Sequence, residues 1–139
     1  MSTIAPPAEP RELKLKGPEL KLELQRLRQT DNLTNWYYLL RTWLFLAAVI
    51  GGTLAFYQYQ ASAGLSFWWN IPVTLVALVC VGAGQHQLAG AAHEAVHHIL
   101  FKNRVLNELA SDLLCMFPVY SSTYQFRLHH LAHHQFIND

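Results

Sequence analysis

The feature that most constrains this chain is a run of 52 residues, 42–93, that contains no Asp, Glu, Lys or Arg. A membrane-spanning helix needs about 20 apolar residues, so the run has room for two helices with a turn between them. Residues 58–66, QYQASAGLS, are small and polar and contain a glycine, as turns commonly do. We therefore predict an all-α integral membrane protein with a transmembrane hairpin, its spans at about 38–57 and 67–90. The alternative, a buried hairpin in a soluble protein, is disfavoured by the length of the run.

Aromatic and basic residues indicate how this hairpin is oriented. Aromatic side chains gather at both ends of the predicted spans, as they do at membrane–water interfaces. Lys and Arg occur before and after the hairpin but not in its turn. By the positive-inside rule, both ends of the hairpin should face the cytoplasm. We expect a multi-pass protein whose N-terminus and histidine clusters are cytoplasmic.

Composition excludes other classes of protein. Charged residues make up 14% of the chain, against about 25% in average proteins. The net charge of +1 and the lack of a basic patch exclude a nucleic-acid partner. Cys80 and Cys115 form neither a disulfide framework nor a CxxC metal motif, and we interpret them as apolar packing residues.

The remaining segments are shorter. Residues 1–35 are predicted to be a cytoplasmic N-terminal leader: 1–17 is a mobile stretch without the apolar core of a signal peptide, and 18–30 is an amphipathic helix ended by Asp31 and Asn32. Residues 36–139 form the membrane domain. Within it, residues 105–118 predict an amphipathic helix too short to span, lying in the interface, and residues 122–135 predict a last helix.

All eight histidines lie between His86 and His134. The first cluster is HEAVHH, residues 93–98. If the second span continues as a helix, His93 and His97 lie one turn apart on the same face and can grip one divalent metal. His98 is rotated about 100° from them. His86 is two turns back on the same stripe, and its role stays open.

The second cluster is HHLAHH, residues 129–134. His130, His133 and His134 have i, i+3 and i, i+4 spacing and can converge on one side of a helix, whereas His129 points partly elsewhere. Each buried imidazole needs a polar partner, and a metal is a partner that several can share. The two clusters together predict a metal site just outside the bilayer.

The identity of the metal has two interpretations. His93-Glu94-Ala-Val-His97 satisfies HExxH, the zinc-protease pattern in which the glutamate is the general base. A zinc hydrolase needs three protein ligands, which would leave most of the second cluster unused. The excess of histidines favours a two-metal site instead. Glu94 and Asp112 could orient imidazole N–H groups or could be solvated face charges.

The two clusters, in this order after a hairpin, resemble the membrane-bound fatty acid desaturases and their hydroxylase and ketolase relatives. The first box of that family, HxxxH(H), matches residues 93–98 and is followed here by ILFKNRVLN. The second box, HxxHH, matches residues 130–134, preceded by Phe126-Arg127 where the family commonly has Tyr-Arg. Asn138-Asp139 also fits the family pattern, and the resemblance covers about residues 30–139.

The resemblance implies an O2-dependent oxidoreductase acting on a fatty acyl substrate, with a separate electron donor of the ferredoxin or cytochrome type. Its two non-haem irons activate oxygen for removal of hydrogen from an unactivated C–H bond. The implied iron ligands are His93, His97, His130, His133 and His134. The family has a third box, (H/Q)xxHH, after two further spans, so we interpret the chain as an N-terminal part that alone is inactive.

Four functions therefore remain to be compared. The first is an acyl-lipid desaturase, and the second is a lipid hydroxylase or carotenoid ketolase of the same superfamily, which begins with the same hydrogen abstraction. The third is an intramembrane zinc protease that uses His93, Glu94 and His97. The fourth is a metal-binding membrane remnant or partner subunit without enzymatic activity.

Overall fold

A computed structural model describes residues 17–27, 30 and 32–136, and every regular element in this part of the chain is helical. The α-helices are α1 (Pro18–Leu27), α2 (Asn32–Ser62), α3 (Asn70–Val96), α4 (Arg104–Ser111) and α5 (Thr123–Phe136). The predicted all-helical fold is confirmed for these residues. The predicted mobile leader lies outside them, apart from Gly17.

Helices α2 and α3 form the predicted hairpin. Both are long and apolar enough to cross a membrane. Only 17% of the most apolar stretch of α2 is buried, and only 6% of that of residues 67–96. The core helix of a soluble protein is mostly buried, so these exposed apolar surfaces are consistent with helices that face lipid.

The helices extend beyond the predicted spans. The amphipathic helix α1 ends at Leu27, before the predicted break, and Asn32 is the first residue of α2. Asp31, also predicted to end the helix, lies outside the described residues. Helix α2 continues to Ser62, so the turn is confined to residues 63–66, before a 3₁₀ turn at Phe67–Trp69. Hydropathy identifies only the apolar part of a helix, whereas the backbone hydrogen bonds of the helix continue into the polar residues at its ends.

Close packing and a few polar contacts hold the hairpin together. Gly84 on α3 lies directly against Leu46 on α2, leaving no room for a methyl group. Near the turn, the hydroxyls of Tyr57 and Thr74 are 2.5 Å apart. Thr42 is buried at the other end, where its Oγ1 donates to Gln87 Oε1 over 3.2 Å.

A compact layer covers the end of the hairpin opposite its turn. Phe101 and Cys115 are buried there together with Ala92, Ala95 and Met116. Asn107 of α4 is fully buried; it donates through Nδ2 to the carbonyl of Ala95 (2.9 Å) and accepts at Oδ1 from the backbone N–H of Phe101 (3.2 Å). These two bonds fix α4 against the end of α3.

The predicted interfacial helix over residues 105–118 is interrupted. Helix α4 ends at Ser111 and gives way to a π-helical turn, Asp112–Met116, and a 3₁₀ turn, Phe117–Val119. Pro118 explains the interruption, because it has no N–H to donate to the carbonyl of Leu114 and its ring crowds that carbonyl. The Leu114 carbonyl instead accepts from Trp43 Nε1 of α2 over 3.1 Å.

Candidate metal centre

Four imidazoles come together where α3 and α5 meet. One ring nitrogen of each of His93, His97, His130 and His134 lies within 4.8 Å of the others. Two of these residues come from the end of α3 and two from α5. Both predicted clusters therefore contribute to one group.

Helix α3 brings its pair together at its last turn. Helix α3 continues past the predicted end of the span at about residue 90, so His93 lies inside the helix, and His97 is the residue that caps it after Val96. The ring centroids of the two histidines are nevertheless 5.0 Å apart. His98 follows in a left-handed conformation, with φ 59°.

The end of α3 is a Schellman motif. The N–H of Ile99 donates to the carbonyl of Glu94 (3.0 Å) and that of His98 to the carbonyl of Ala95 (2.9 Å). Glycine is usual at the left-handed position, where a side chain costs about 1 kcal/mol or more. The chain reverses sharply here, which leaves His97 directed at α5.

Helix α5 is anchored at its first residue. The N–H of Thr123 donates to Asp112 Oδ1 and its Oγ1 to Ser111 Oγ, each over 2.7 Å. From that anchor, His130 and His134 lie one turn apart and face α3. Asp112 is thus occupied in starting α5, and its predicted alternative role of orienting an imidazole has no support among these contacts.

The nitrogen separations suit a shared cation. His130 Nε2 lies 3.0 Å from His97 Nε2 and 2.9 Å from His134 Nε2. A ring nitrogen has either one N–H or one lone pair, so His130 Nε2 cannot donate to one neighbour and accept from the other. Nitrogens bound at about 2.1 Å to one metal would lie roughly 3.0–3.4 Å apart. The donor set therefore fits a metal that accepts lone pairs from several neutral imidazoles.

The electrostatics at His130 favour that neutral form. Partial burial and the nearby imidazoles of His93, His134, His97 and His133 lower the pKa of His130. A deprotonated ring nitrogen is the form that binds metal. The lowered pKa of His130 therefore favours its binding to a cation.

The other histidines lie outside the four-residue group. His133 is exposed, with its ring centroid 6.0 Å from that of His134. Successive helical residues are rotated by about 100°, so His133 is directed to the edge when His134 faces α3. Its assignment as a ligand remains a prediction. Whether His86, His98 or His129 binds metal stays open; none of them belongs to the group, and all are exposed.

Two charged residues beside the group have different surroundings. Glu94 is exposed, and its Oε1 lies 3.4 Å from His93 Nδ1, within reach of the predicted orienting role. Arg127 was singled out by the sequence only as part of the Phe-Arg pair, yet it binds α3, α4 and α5 together. Its position three residues before His130 was the feature of the sequence that could have pointed to this role.

One protein family matches the part of the chain that carries this group. Residues 71–139 match the model of the fatty acid desaturase family. This segment belongs to that family. The desaturase segment runs from the second residue of α3 to the last residue of the chain, and all eight histidines lie within it. The predicted resemblance is confirmed at the level of the family.

One curated relative extends the similarity toward the N-terminus. The chain is 28% identical over 122 residues to dihydrorhizobitoxine desaturase of Bradyrhizobium elkanii, a match that covers 87% of this chain. The same match covers 31% of that desaturase, so the chain spans about a third of the relative's length. No solved structure matches the chain.

Proposed function

We propose that this chain carries the first two histidine boxes of an O2-dependent fatty acyl desaturase with a histidine-ligated non-haem di-iron centre. The observation that carries the proposal is the convergence of four imidazoles within the desaturase segment. When bound, iron supplies the oxidising power that removes hydrogen from an unactivated C–H bond. Imidazole is a suitable ligand for it.

The chain's own residues would hold and place that centre. His93 and His97 at the end of α3, with His130 and His134 on α5, provide ring nitrogens from two directions. His133 and a third box beyond the present sequence would complete the ligands of a second iron. The group follows directly on the apolar hairpin, so an acyl chain can approach it from the bilayer.

The proposal includes partners and a location. The hairpin would place the protein in a membrane, with the histidine boxes on the cytoplasmic side. A fatty acyl lipid is the substrate, and a separate ferredoxin or cytochrome supplies electrons.

The second candidate is a hydroxylase or ketolase of the same superfamily, since the same histidines would serve it. The zinc-protease interpretation is less consistent with the site. It needs His93, Glu94, His97 and one further ligand, whereas both His130 and His134 lie in the group. A metal-binding partner subunit without activity also fits the group alone.

The deciding experiment measures metal and product in the protein extended to its natural stop codon and purified in detergent. We expect about two irons per chain. We also expect an acyl product that has lost two hydrogens by mass spectrometry. Gain of one oxygen would identify a hydroxylase instead, and a single zinc would contradict the desaturase proposal.

Matched variants separate the enzyme classes. His130→Ala should abolish iron binding and desaturation, whereas His129→Ala, an exposed neighbour on the same helix, should retain most of both. Glu94→Gln should leave iron content intact. The protease interpretation requires Glu94→Gln to be inactive and tolerates His133→Ala, whereas the di-iron proposal needs His133 as a ligand.

A further inference from the structure

Arg127 donates hydrogen bonds both to backbone carbonyls of α3 and to a carboxylate of α4. Its Nε donates to the carbonyl of Val96 over 3.0 Å, and its Nη2 donates to the carbonyl of Ala95 over 3.2 Å. Its Nη1 and Nη2 also bind the two carboxylate oxygens of Glu108, at 3.2 and 2.5 Å. A guanidinium has five N–H groups, and these contacts use four of them.

The two carbonyls belong to the last turn of α3, the turn that carries the first histidine pair. Carbonyls at the end of a helix lack partners within the helix, and a cation there is also favoured by the helix dipole. Asn107 and the N–H of His98 donate to the same Ala95 carbonyl. Of the three groups that donate to the Ala95 carbonyl, Arg127 is the one that lies on α5.

The face of α5 that binds α3 is also the face that carries the second histidine pair. His130 and His134 lie three and seven residues after Arg127, which places all three within about 60° of one another around the helix. His130 is only about 4.5 Å farther along the axis. A rotation of α5 that released Arg127 would therefore turn both imidazoles away from His97.

Glu108 fixes the guanidinium from a third element, α4. The Arg127 and Glu108 side chains are 18% and 34% exposed, so the bidentate pair is partly shielded from water. Glu108 also contacts His98 Nδ1 at 3.2 Å. The pair thus connects α4 to the reversal that ends α3.

From these contacts we propose that Arg127 is a positioning residue for the metal centre. Its guanidinium joins the last carbonyls of α3 to Glu108 of α4, and so holds His130 and His134 at ligand distance from His93 and His97. Arg127 touches none of the four ligand nitrogens and acts through the placement of α5. This inference rests on the proposed function, because it presumes that the four imidazoles bind metal.

The test is a Co²⁺ titration of the full-length protein in detergent, followed by the visible absorption of the bound ion. Arg127→Gln should weaken Co²⁺ binding by about tenfold or more, as loss of groups that orient ligands commonly does. Arg127→Lys should not rescue it, because a point charge cannot reach two carbonyls and a carboxylate at once. Arg104→Gln, an exposed change at the start of α4, is the matched control and should bind as the parent does.

Circular dichroism and thermal unfolding of each variant show whether the fold persists, so that affinity is compared between folded proteins. A folded Arg127→Gln variant with the affinity of the parent overturns the proposal. If Arg127→Gln does not fold, the deciding variant is Glu108→Gln, which leaves the contacts of Arg127 with the two carbonyls in place. A threefold or greater loss of Co²⁺ affinity in Glu108→Gln supports the proposal. Unchanged Co²⁺ affinity contradicts it. A parent that binds no Co²⁺ refutes the proposed metal site itself, which is a separate failure.

Discussion

At the scale of single residues, the candidate site combines histidine pairs set by helical spacing with contacts made between helices. Spacing placed His93 with His97 and His130 with His134, and the structure brings these pairs together. Spacing could not predict which side of α5 faces α3, because that depends on contacts made far away in sequence. Spacing therefore grouped His133 with His130 and His134, whereas the structure leaves His133 exposed.

Asn107 is a polar residue whose burial apolar periodicity did not predict. It is fully buried, and its side chain is the acceptor for the N–H of Phe101. Asn107→Ala should leave that buried N–H unpaired, at a cost of about 1–3 kcal/mol. The Ala95 carbonyl keeps its other donors, so the loss falls on the loop between α3 and α4.

Thermal unfolding in detergent, followed by circular dichroism, measures the effect. Asn103→Ala is the comparison, since Asn103 caps α4 by accepting from the N–H of Leu106, and loss of a cap costs about 1 kcal/mol. We expect Asn107→Ala to be the more damaging change. A smaller effect than that of Asn103→Ala would show that the Phe101 N–H finds another acceptor.

At the scale of elements, the sequence predicted which helices exist and placed both ends of α5 within one residue, but it misplaced the ends of α2, α3 and α4. Uncharged length was enough to predict α2 and α3. The interruption after Ser111 has a local cause in Pro118, which cannot donate to the Leu114 carbonyl, and a tertiary part that periodicity does not show, the bond from Trp43 to that carbonyl. Apolar periodicity continues through such a turn and gives no sign of it.

The contact between α2 and α3 at Gly84 makes a prediction for the hairpin. Gly84→Ala places a methyl group against the buried side chain of Leu46, which must change its rotamer or push the helices apart. Overpacking of this kind costs about 1–3 kcal/mol. Gly82→Ala is the matched control, because its Cβ would meet no atom within 4 Å. Equal thermal stability of the two variants would contradict the close approach of the helices.

At the scale of the whole molecule, polar contacts bring the two ends of the hairpin together. Asn35 Nδ2 donates to the Leu100 carbonyl over 2.5 Å, and the N–H of Lys102 donates to Asn32 Oδ1 over 2.9 Å. These contacts join positions 65 and 70 residues apart. Composition predicted the hairpin, and the basic residues predicted its orientation, which stays a prediction.

Thiol labelling in sealed cells tests that orientation. In a variant with Cys80 and Cys115 replaced by alanine, Ser62→Cys, at the last residue of α2 before the turn, should react with an impermeant maleimide from outside. Lys102→Cys should react only after the membrane is permeabilised. Both positions are exposed, so access to the reagent is matched. Reaction of both without permeabilisation, or the reversed pattern, would contradict the proposed cytoplasmic site.

The division of the four imidazoles between α3 and α5 has a consequence for how the protein is made. His97 and His130 are 33 residues apart, so a ribosome releases the first pair well before the second. In the interval, the nascent hairpin can enter the membrane while offering two imidazoles alone, a site too sparse to hold a metal firmly. On the proposed function, firm metal binding must wait until α5 has docked. Insertion of the hairpin and metal binding would then be separate steps of biogenesis.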